Sequence, residues 1–360
     1  MQATPGPDPL RAELAAAQAR GPIRVIIEQP RTSWIARGLK WLVVLVVVIW
    51  LFSSSFEKSY YGENDLQERW HSLSHTATDK VAIISLEGAI VGDESFVKKQ
   101  IDHVADDEHV KAIVLRIDSP GGTVTGSDYI YHHVKKLLET KKIPLVVSMG
   151  SVAASGGYYV AMAAGGAEDT IFAEPTTWTG SIGVIIPHYD LSGLLEKLNV
   201  SDDSIASNPL KMMGSPTRKF PEPIRAEEQK ILQELVDSSF AGFKDIVLAG
   251  RPALRDNQEV QSVVFTGRIF TAQQAKANLL VDRLGFIEDA IDRAIELANL
   301  NKDDVRVIKF HRPVPIMEQL LMGGSQSRKQ ALDMSALLDL ASPRAYYLCT
   351  FMPGVNATER

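Results

Sequence analysis

Cysteine is almost absent from this sequence, because Cys349 is the only one among its 360 residues. A single cysteine excludes an internal disulfide framework, and it also excludes a metal site of the CxxC type. The sequence has no basic stripe either: its formal net charge is −6, and its few excess basic side chains precede residue 56. This distribution argues against nucleic acid as a partner. We expect no metal ion and no cofactor.

Charged side chains are also absent from residues 41–56, which read WLVVLVVVIWLFSSSF. Basic residues precede this run and acidic residues follow it, while Trp41 and Trp50 would suit the two interfaces of a membrane. A spanning helix needs about 20 residues, so the run must be extended back to residue 35. A buried strand is the alternative interpretation. We expect a single membrane-spanning helix at 35–56, with the N-terminus in the cytoplasm and the rest exported.

The remaining sequence indicates one large α/β domain. Near-continuous apolar runs at 80–91, 111–118 and 143–150 are typical of strands covered on both faces, and a helical stripe separates the last two. Strand, helix and strand with short connections predict a βαβ unit in a mainly parallel sheet. The expected organisation is a cytoplasmic tail at 1–34, the membrane helix, a stalk at 57–79, the α/β domain at 80–310 and a C-terminal extension at 311–360.

Two glycine-containing segments follow predicted strands. The first, SPGG at 119–122, can present bare N–H groups that bind an anion or a developing oxyanion, although an ordinary β-turn is the alternative. The second, AASGG at 153–157, places Ser155 at a strand-to-helix junction, where a helix N-cap is the alternative. No histidine lies within 20 positions of Ser155, and the GxSxG motif is absent there. A nucleophilic Ser155 would therefore need a base other than a nearby histidine.

Five segments together resemble the signal peptide peptidase SppA family, whose members are serine peptidases of the ClpP/crotonase superfamily. The segments occur in the order of the family: SPGG, AASGGYY, TGSIGV, NPLKMMGSP and FTGRIFTAQQAKANLLVDRLGF. The resemblance extends over residues 80–300 and is strongest to single-domain members with an N-terminal membrane anchor. It implies a ClpP/crotonase-like domain of repeated β-β-α units, preceded by one transmembrane helix.

The resemblance also implies roles for five residues. Ser155 matches the nucleophile, Lys211 matches the general base, and Ser181 matches a serine that orients the lysine. The backbone N–H groups of Gly122 and Gly156 match the oxyanion hole. A free lysine has a pKa near 10.4, so it acts as a base at neutral pH only when desolvation lowers that pKa. The apolar residues beside Lys211 in the sequence are compatible with such desolvation.

The expected activity is that of a membrane-anchored serine endopeptidase, which cleaves extended apolar peptides such as remnant signal peptides in or near the membrane. Residues 35–56 would contact lipid, and the peptidase domain would lie on the periplasmic side of the inner membrane. An extended substrate would add as a strand beside the SPGGTV and TGSIGV segments. The family further implies a homo-oligomeric ring in which neighbouring protomers share active sites.

Several alternatives remain open at the level of sequence. The chain could be an inactive scaffold of the same fold at the membrane, or a crotonase-type acyl-CoA enzyme. A ClpP-like triad would need a histidine after the serine, and His188 is the candidate; His132 and His133 have no partner that the sequence identifies. We expect the C-terminal extension to pack on its own or a neighbouring subunit. A further hypothesis is that YYLCTF, at 346–351, enters an active-site groove as a pseudo-substrate.

Overall fold

The computed structural model describes residues 41–47, 66–92, 95–312 and 346–348. The chain divides into two units, Met1–Asn64 and Asp65–Arg360. In the first unit, residues 41–47 form a helix whose side chains are exposed. Within the described residues, no helix has both the length and the apolar character needed to span a membrane. The expected tail at 1–34 and the rest of the expected span at 35–56 lie outside the described residues.

The second unit is built on a nine-stranded, mainly parallel sheet, in which the long path runs β1-β10-β2-β3-β5-β6-β9. Two further members, β7 and β8, join through β5, while β4 and β11 form a separate antiparallel pair. The strands are β1 Gln67–Leu73, β2 Asp79–Glu87, β3 Val110–Ser119, β4 Gly121–Thr123, β5 Leu145–Ala154, β6 Ile171–Ala173, β7 Trp178–Gly180, β8 Ile269–Thr271, β9 Arg283–Leu284, β10 Val305–His311 and β11 Tyr346–Leu348.

Helices cover the central strands on both faces. Alternate residues of β2 contribute to two different apolar clusters: Ala82 and Ile84 to the larger, and Val81 and Ile83 to the smaller. Since side chains alternate along a strand, each cluster lies on its own face of the sheet. The helices are α1 Ser95–Asp106, α2 Val124–Lys141, α3 Gly156–Ala161, α4 Ser192–Lys197, α5 Ile224–Gly250, α6 Gln258–Val264, α7 Ala272–Ala277 and α8 Ile287–Leu297.

The central strands agree with the prediction of a mainly parallel α/β sheet. The three predicted strands correspond to β2, β3 and β5, which are parallel neighbours, and the helical stripe between the last two is α2. The expected stalk differs, because β1 lies inside it and pairs antiparallel with β10. Lys80 Nζ also binds Glu68 of β1 at 2.9 Å. The sheet therefore begins before residue 80, the residue at which the sequence pattern predicts the start of the domain.

Candidate active site

Ser155 lies at the sharp turn between β5 and α3, with φ 54° and ψ −115°. A non-glycine residue rarely adopts a positive φ, and holding it there costs about 1–3 kcal/mol. The surrounding backbone imposes this conformation, because the Ser155 N–H donates to the Gly180 carbonyl at 2.8 Å. The Ser155 carbonyl in turn accepts the Tyr159 N–H at 2.9 Å. The strand and the helix thus both hold Ser155 in a strained conformation.

The Ser155 hydroxyl is buried and forms no hydrogen bond with any residue that the structure describes. Its side chain makes no capping bond to α3, so the N-cap interpretation does not explain a serine at this position. The residue is 1% exposed, and its Oγ has no hydrogen-bond partner within the part of the chain that the structure describes. Most buried hydroxyls have a partner, and losing one costs about 1–3 kcal/mol. The serine is therefore retained despite strain and an unpaired hydroxyl, as is typical of functional sites.

The Gly121–Gly122 turn packs directly on the first residue of α3. A Cβ built on Gly156 would lie 3.1 Å from the Gly122 nitrogen and would overlap the Ser127 Oγ. A Cβ built on Gly122 would overlap the Ile90 backbone. Only glycine allows these backbones to approach so closely. The two amides that the sequence analysis assigned to an oxyanion hole thus lie side by side, next to Ser155.

Ser181 lies beside Ser155 at the end of a neighbouring strand. β7 pairs in parallel with β5 with Gly180 opposite Ala154, so the two serines follow corresponding positions at the same edge of the sheet. Ser181 is 7% exposed and has φ 53°, and its N–H donates to the Arg268 carbonyl at 2.8 Å. The structure therefore brings together four of the predicted site residues: Gly122, Ser155, Gly156 and Ser181.

Lys211 is not joined to this group within one chain. It lies in a short 3-10 helix, Pro209–Met212, which begins where the Asn208 side chain accepts the Leu210 N–H at 2.9 Å. The side chain of Lys211 is exposed, so a single chain does not provide the burial that the sequence analysis expected. No described residue donates to or accepts from Ser155 Oγ, so neither Lys211 nor His188 reaches it in one chain.

An aromatic cluster beside Ser155 was not identified from the sequence. The Tyr159 hydroxyl donates to Asp128 at 2.8 Å, and the Tyr159 ring lies 5.3 Å from Phe243 and 5.2 Å from Tyr347. Burial, together with the hydrogen bond to Asp128, raises the pKa of Tyr159 well above its ordinary value. The two tyrosines that follow Ser155 in GGYY were the available signal, but their partners come from distant parts of the chain.

A group of potential metal ligands lies elsewhere in the fold. The ligand atoms of Glu68, His103 and Asp107 are within 4.8 Å of one another. Lys80 Nζ already binds Glu68 at 2.9 Å and Asp107 at 2.8 Å, so the protein supplies its own cation to these carboxylates. This group therefore connects β1 with β2 and with the end of α1.

The two family models that match this chain both match within its second unit, Asp65–Arg360. The sequence matches the family model Peptidase family S49 over residues 138–301 and the model Clp protease over residues 67–178. A Synechocystis protein named as a protease is 42% identical over 255 residues, which cover 70% of this chain and 86% of that protein. An Enterococcus faecium protein named signal peptide peptidase SppA is 35% identical over 308 residues, which cover 78% of this chain and 84% of that protein. The chloroplastic serine protease SPPA of Arabidopsis thaliana is 34% identical over 243 residues, which cover 67% of this chain and 34% of that protein.

The fold and these matches agree. A mixed α/β unit with a parallel-rich sheet fits a ClpP-like domain, and the S49 match includes the segments that carry Ser155, Ser181 and Lys211. Two relatives are matched over more than four fifths of their length. The chain therefore belongs to the signal peptide peptidase SppA family, peptidase family S49, and is a serine-type peptidase.

Proposed function

We propose that this chain is an endopeptidase in which Ser155 is the nucleophile and Lys211 is the general base. The observation that carries the proposal is the state of Ser155. Its backbone is strained, and its buried hydroxyl has no partner among the described residues and lies next to two clustered glycine amides. A hydroxyl bound to a structural partner would have to break that bond before it attacked. An unpaired hydroxyl is available to a base and to a substrate carbonyl.

The proposed reaction has two steps. Neutral Lys211 removes the proton of Ser155, and the Oγ attacks the peptide carbonyl carbon while the developing oxyanion is held by the N–H groups of Gly122 and Gly156. Each such donor typically contributes about 3 kcal/mol of transition-state stabilisation. The lysine then gives its proton to the leaving amine as the C–N bond breaks, which leaves the acyl group on Ser155. In the second step Lys211 deprotonates a water that attacks the acyl carbon, and the lysine returns this proton to the Ser155 Oγ as the ester bond breaks. Ser181 accepts or donates a hydrogen bond that aims the lysine.

Lys211 would reach Ser155 when subunits assemble. The segment before Lys211 exposes large apolar side chains, among which Tyr189 is 71% exposed, Leu198 63% and Ile205 100%. Exposed apolar surface of this kind is typical of protein interfaces. A neighbouring subunit that covered this segment would also desolvate the lysine and lower its pKa, as a base requires. We therefore propose a homo-oligomeric ring in which protomers share active sites.

The proposed substrates are extended apolar peptides such as remnant signal peptides, in line with the name of the Enterococcus relative. The uncharged run at 41–56, with basic residues before it and acidic residues after it, supports a single membrane anchor at 35–56. In this arrangement the tail at 1–34 is cytoplasmic, and the peptidase domain lies on the periplasmic side of the inner membrane.

Covalent labelling tests the proposal. The detergent-solubilised full chain is treated with a fluorophosphonate, and the adduct is located by mass spectrometry. We expect an adduct on Ser155 that is lost in Ser155→Ala and Lys211→Ala but retained in Lys230→Ala, which removes an exposed lysine of α5. An assembled wild-type protein that forms no adduct, and leaves a synthetic signal peptide uncut, would instead be the inactive scaffold.

A further inference from the structure

The loop that carries Lys211 is closed by hydrogen bonds between its two ends. The Thr217 hydroxyl donates to the Asp202 carboxylate at 2.6 Å, and the Arg218 guanidinium donates to the Asp202 carbonyl at 2.8 Å. Hydrogen bonds from Ser204 and Thr217 lower the pKa of Asp202 to about 2, so its carboxylate is ionised and accepts hydrogen bonds at neutral pH. Residues 202–217, the Lys211 loop, therefore form a closed segment within one chain.

Consecutive turns connect Lys211 to Gly214. The Lys211 N–H donates to the Asn208 carbonyl at 3.0 Å, and the Met213 N–H donates to the Leu210 carbonyl at 3.1 Å. Gly214 follows with φ 78°, a conformation that glycine adopts without steric cost. Because each turn restricts the next, the position of the Gly214 backbone sets the position of the nearby Lys211 backbone.

The Gly214 N–H is held by a buried side chain of α5. It donates to the Glu228 carboxyl group at 2.7 Å, and Glu228 is 5% exposed, whereas the adjacent Glu227 is exposed. Glutamate is seldom buried, and burial of a polar group costs free energy unless hydrogen bonds compensate. The bond to Gly214 therefore accounts for a glutamate at this buried position.

The other end of α5 packs beside the helix that follows the nucleophile. A Cβ built on Gly250, the last residue of α5, would lie 2.9 Å from the Met162 Sδ, and Met162 directly follows α3. Glu228 and Gly250 lie about 33 Å apart along α5 at the usual rise of an α-helix. α5 thus holds the Lys211 loop far from its own contact with Met162. This arrangement suits a lysine that serves the Ser155 of a neighbouring subunit.

We propose that Glu228 is a positioning residue for Lys211: it holds the Gly214 N–H and so presents the lysine of its own chain, in a fixed position, to the serine of a neighbouring subunit. This inference rests on the proposed function, because it takes Lys211 as the base and the active sites as shared. A base acts only within hydrogen-bond reach of the proton that it removes. A displacement of about 1 Å can lower a rate about a hundredfold, so a loop without this bond loses most of its activity.

Steady-state kinetics of the detergent-solubilised full chain on a synthetic signal peptide test this role. Glu228→Ala should lower kcat by about tenfold to a hundredfold and leave KM within about twofold, because the loop positions the base and does not bind the peptide. Glu228→Gln keeps an oxygen that accepts the Gly214 N–H, so it should retain kcat within about threefold. Glu227→Ala is the matched control, since it removes the exposed neighbour, and it should equal the wild type.

Two results of these measurements would overturn the proposal. One is a Glu228→Ala protein with the kcat of the wild type. The other is a raised KM with unchanged kcat, which would place Glu228 among the groups that bind the peptide. If Glu228→Ala does not assemble, Glu228→Asp replaces it, because it withdraws the carboxyl group by one methylene and should lower kcat about tenfold. A Glu228→Asp protein with wild-type kcat would be equally decisive against the proposal.

Mixed subunits show in which chain Glu228 acts. Mixing Ser155→Ala/Glu228→Ala subunits with Lys211→Ala subunits puts the change in the chain that supplies the lysine. Turnover should then fall about tenfold or more below that of the parent mixture of Ser155→Ala and Lys211→Ala subunits. Mixing Lys211→Ala/Glu228→Ala subunits with Ser155→Ala subunits puts the change in the chain that supplies the serine, and turnover should equal that of the parent mixture. An equal loss in both mixtures would show a general structural role and overturn the proposal.

The wild type and the parent mixture separate this inference from the proposed function. A wild type that neither forms an adduct on Ser155 nor cuts the peptide refutes both. A parent mixture that assembles but stays inactive refutes the part that both assign to a neighbouring subunit. An active wild type together with a fully active Glu228→Ala protein leaves the proposed function standing and refutes only the role of Glu228.

Discussion

Replacing the proposed nucleophile should stabilise the protein. Ser155 combines a positive φ with a buried hydroxyl that has no partner in the described part of the chain. Ser155→Ala removes the unpaired hydroxyl but keeps the strained backbone, whereas Ser155→Gly removes both costs. We therefore expect both variants to be inactive and yet more stable than the wild type, with the glycine variant the more stable of the two.

The expected magnitudes follow from the two costs. An unpaired buried hydroxyl costs about 1–3 kcal/mol, so Ser155→Ala should raise the free energy of unfolding by about 1–2 kcal/mol. Strain at a positive φ costs about 1–3 kcal/mol, and the extra flexibility of an unfolded glycine offsets about 0.5–1 kcal/mol of this. Ser155→Gly should therefore add about 1 kcal/mol more. For a domain of this size, each kcal/mol corresponds to about 2–4 °C in Tm.

Unfolding of the detergent-solubilised variants by heat and by denaturant measures these differences. All variants are compared in a Lys211→Ala background, because a lysine that reached Ser155 in the assembled protein would give the hydroxyl a partner. Ser127→Ala is the matched control, because Ser127 is also buried but its hydroxyl donates to the Thr123 carbonyl at 2.9 Å. Losing that bond should destabilise the protein by about 1 kcal/mol, the opposite sign to the change at Ser155. If Ser155→Gly is no more stable than the wild type, the strained and unpaired state of Ser155 is refuted.

Three further predictions concern assembly, the oxyanion site and acid stability. Mixing inactive Ser155→Ala and Lys211→Ala subunits should restore about a quarter of wild-type turnover of a signal peptide, if neighbouring subunits share sites. Gly122→Ala should abolish turnover and lower Tm by several degrees, since the new methyl would overlap the Ile90 backbone. Burial alone would raise the pKa of Glu68, but its hydrogen bonds with Lys80 and His103 outweigh this effect, so the pKa is lowered. The ionised Glu68 carboxylate should contribute its full stabilisation above pH 4.5, the ordinary pKa of a glutamate. This stabilisation should be lost as the pH falls through the lowered pKa of the folded protein. In denaturant titrations, the free energy of unfolding should fall less between pH 7 and pH 3 in Lys80→Met than in the wild type.

Each of these predictions has an outcome that contradicts it. Mixed subunits that stay inactive, while each purified variant still assembles, would contradict shared active sites. A Gly122→Ala protein with normal turnover would show that this backbone does not contribute to the reaction. An equal acid loss of stability in wild type and Lys80→Met would show that the Lys80 carboxylate pairs are not responsible.

The central strands could be predicted because their signal is local. The apolar runs of β2, β3 and β5 and the helical stripe of α2 are contiguous in the sequence, and their neighbours in the sheet follow one another along the chain. β1 was assigned to a stalk because its sequence, QERWHSL, is mostly polar. It is an edge strand whose partner, β10, lies at the other end of the domain, so nothing near it in the sequence predicts the pairing.

The sequence by itself determined which residues were candidates for the chemistry. Small residues around Ser155 and the glycines of the SPGG turn permit close backbone approach, and this requirement is visible in the residue types alone. Only the tertiary structure decided that Ser155 is strained, that its hydroxyl is unpaired within the described ranges, that Lys211 is exposed in one chain, and that β11 lies beside Gly122. The physical reason is that hydrogen bonding and burial depend on contacts between residues far apart in the sequence, which no local pattern specifies.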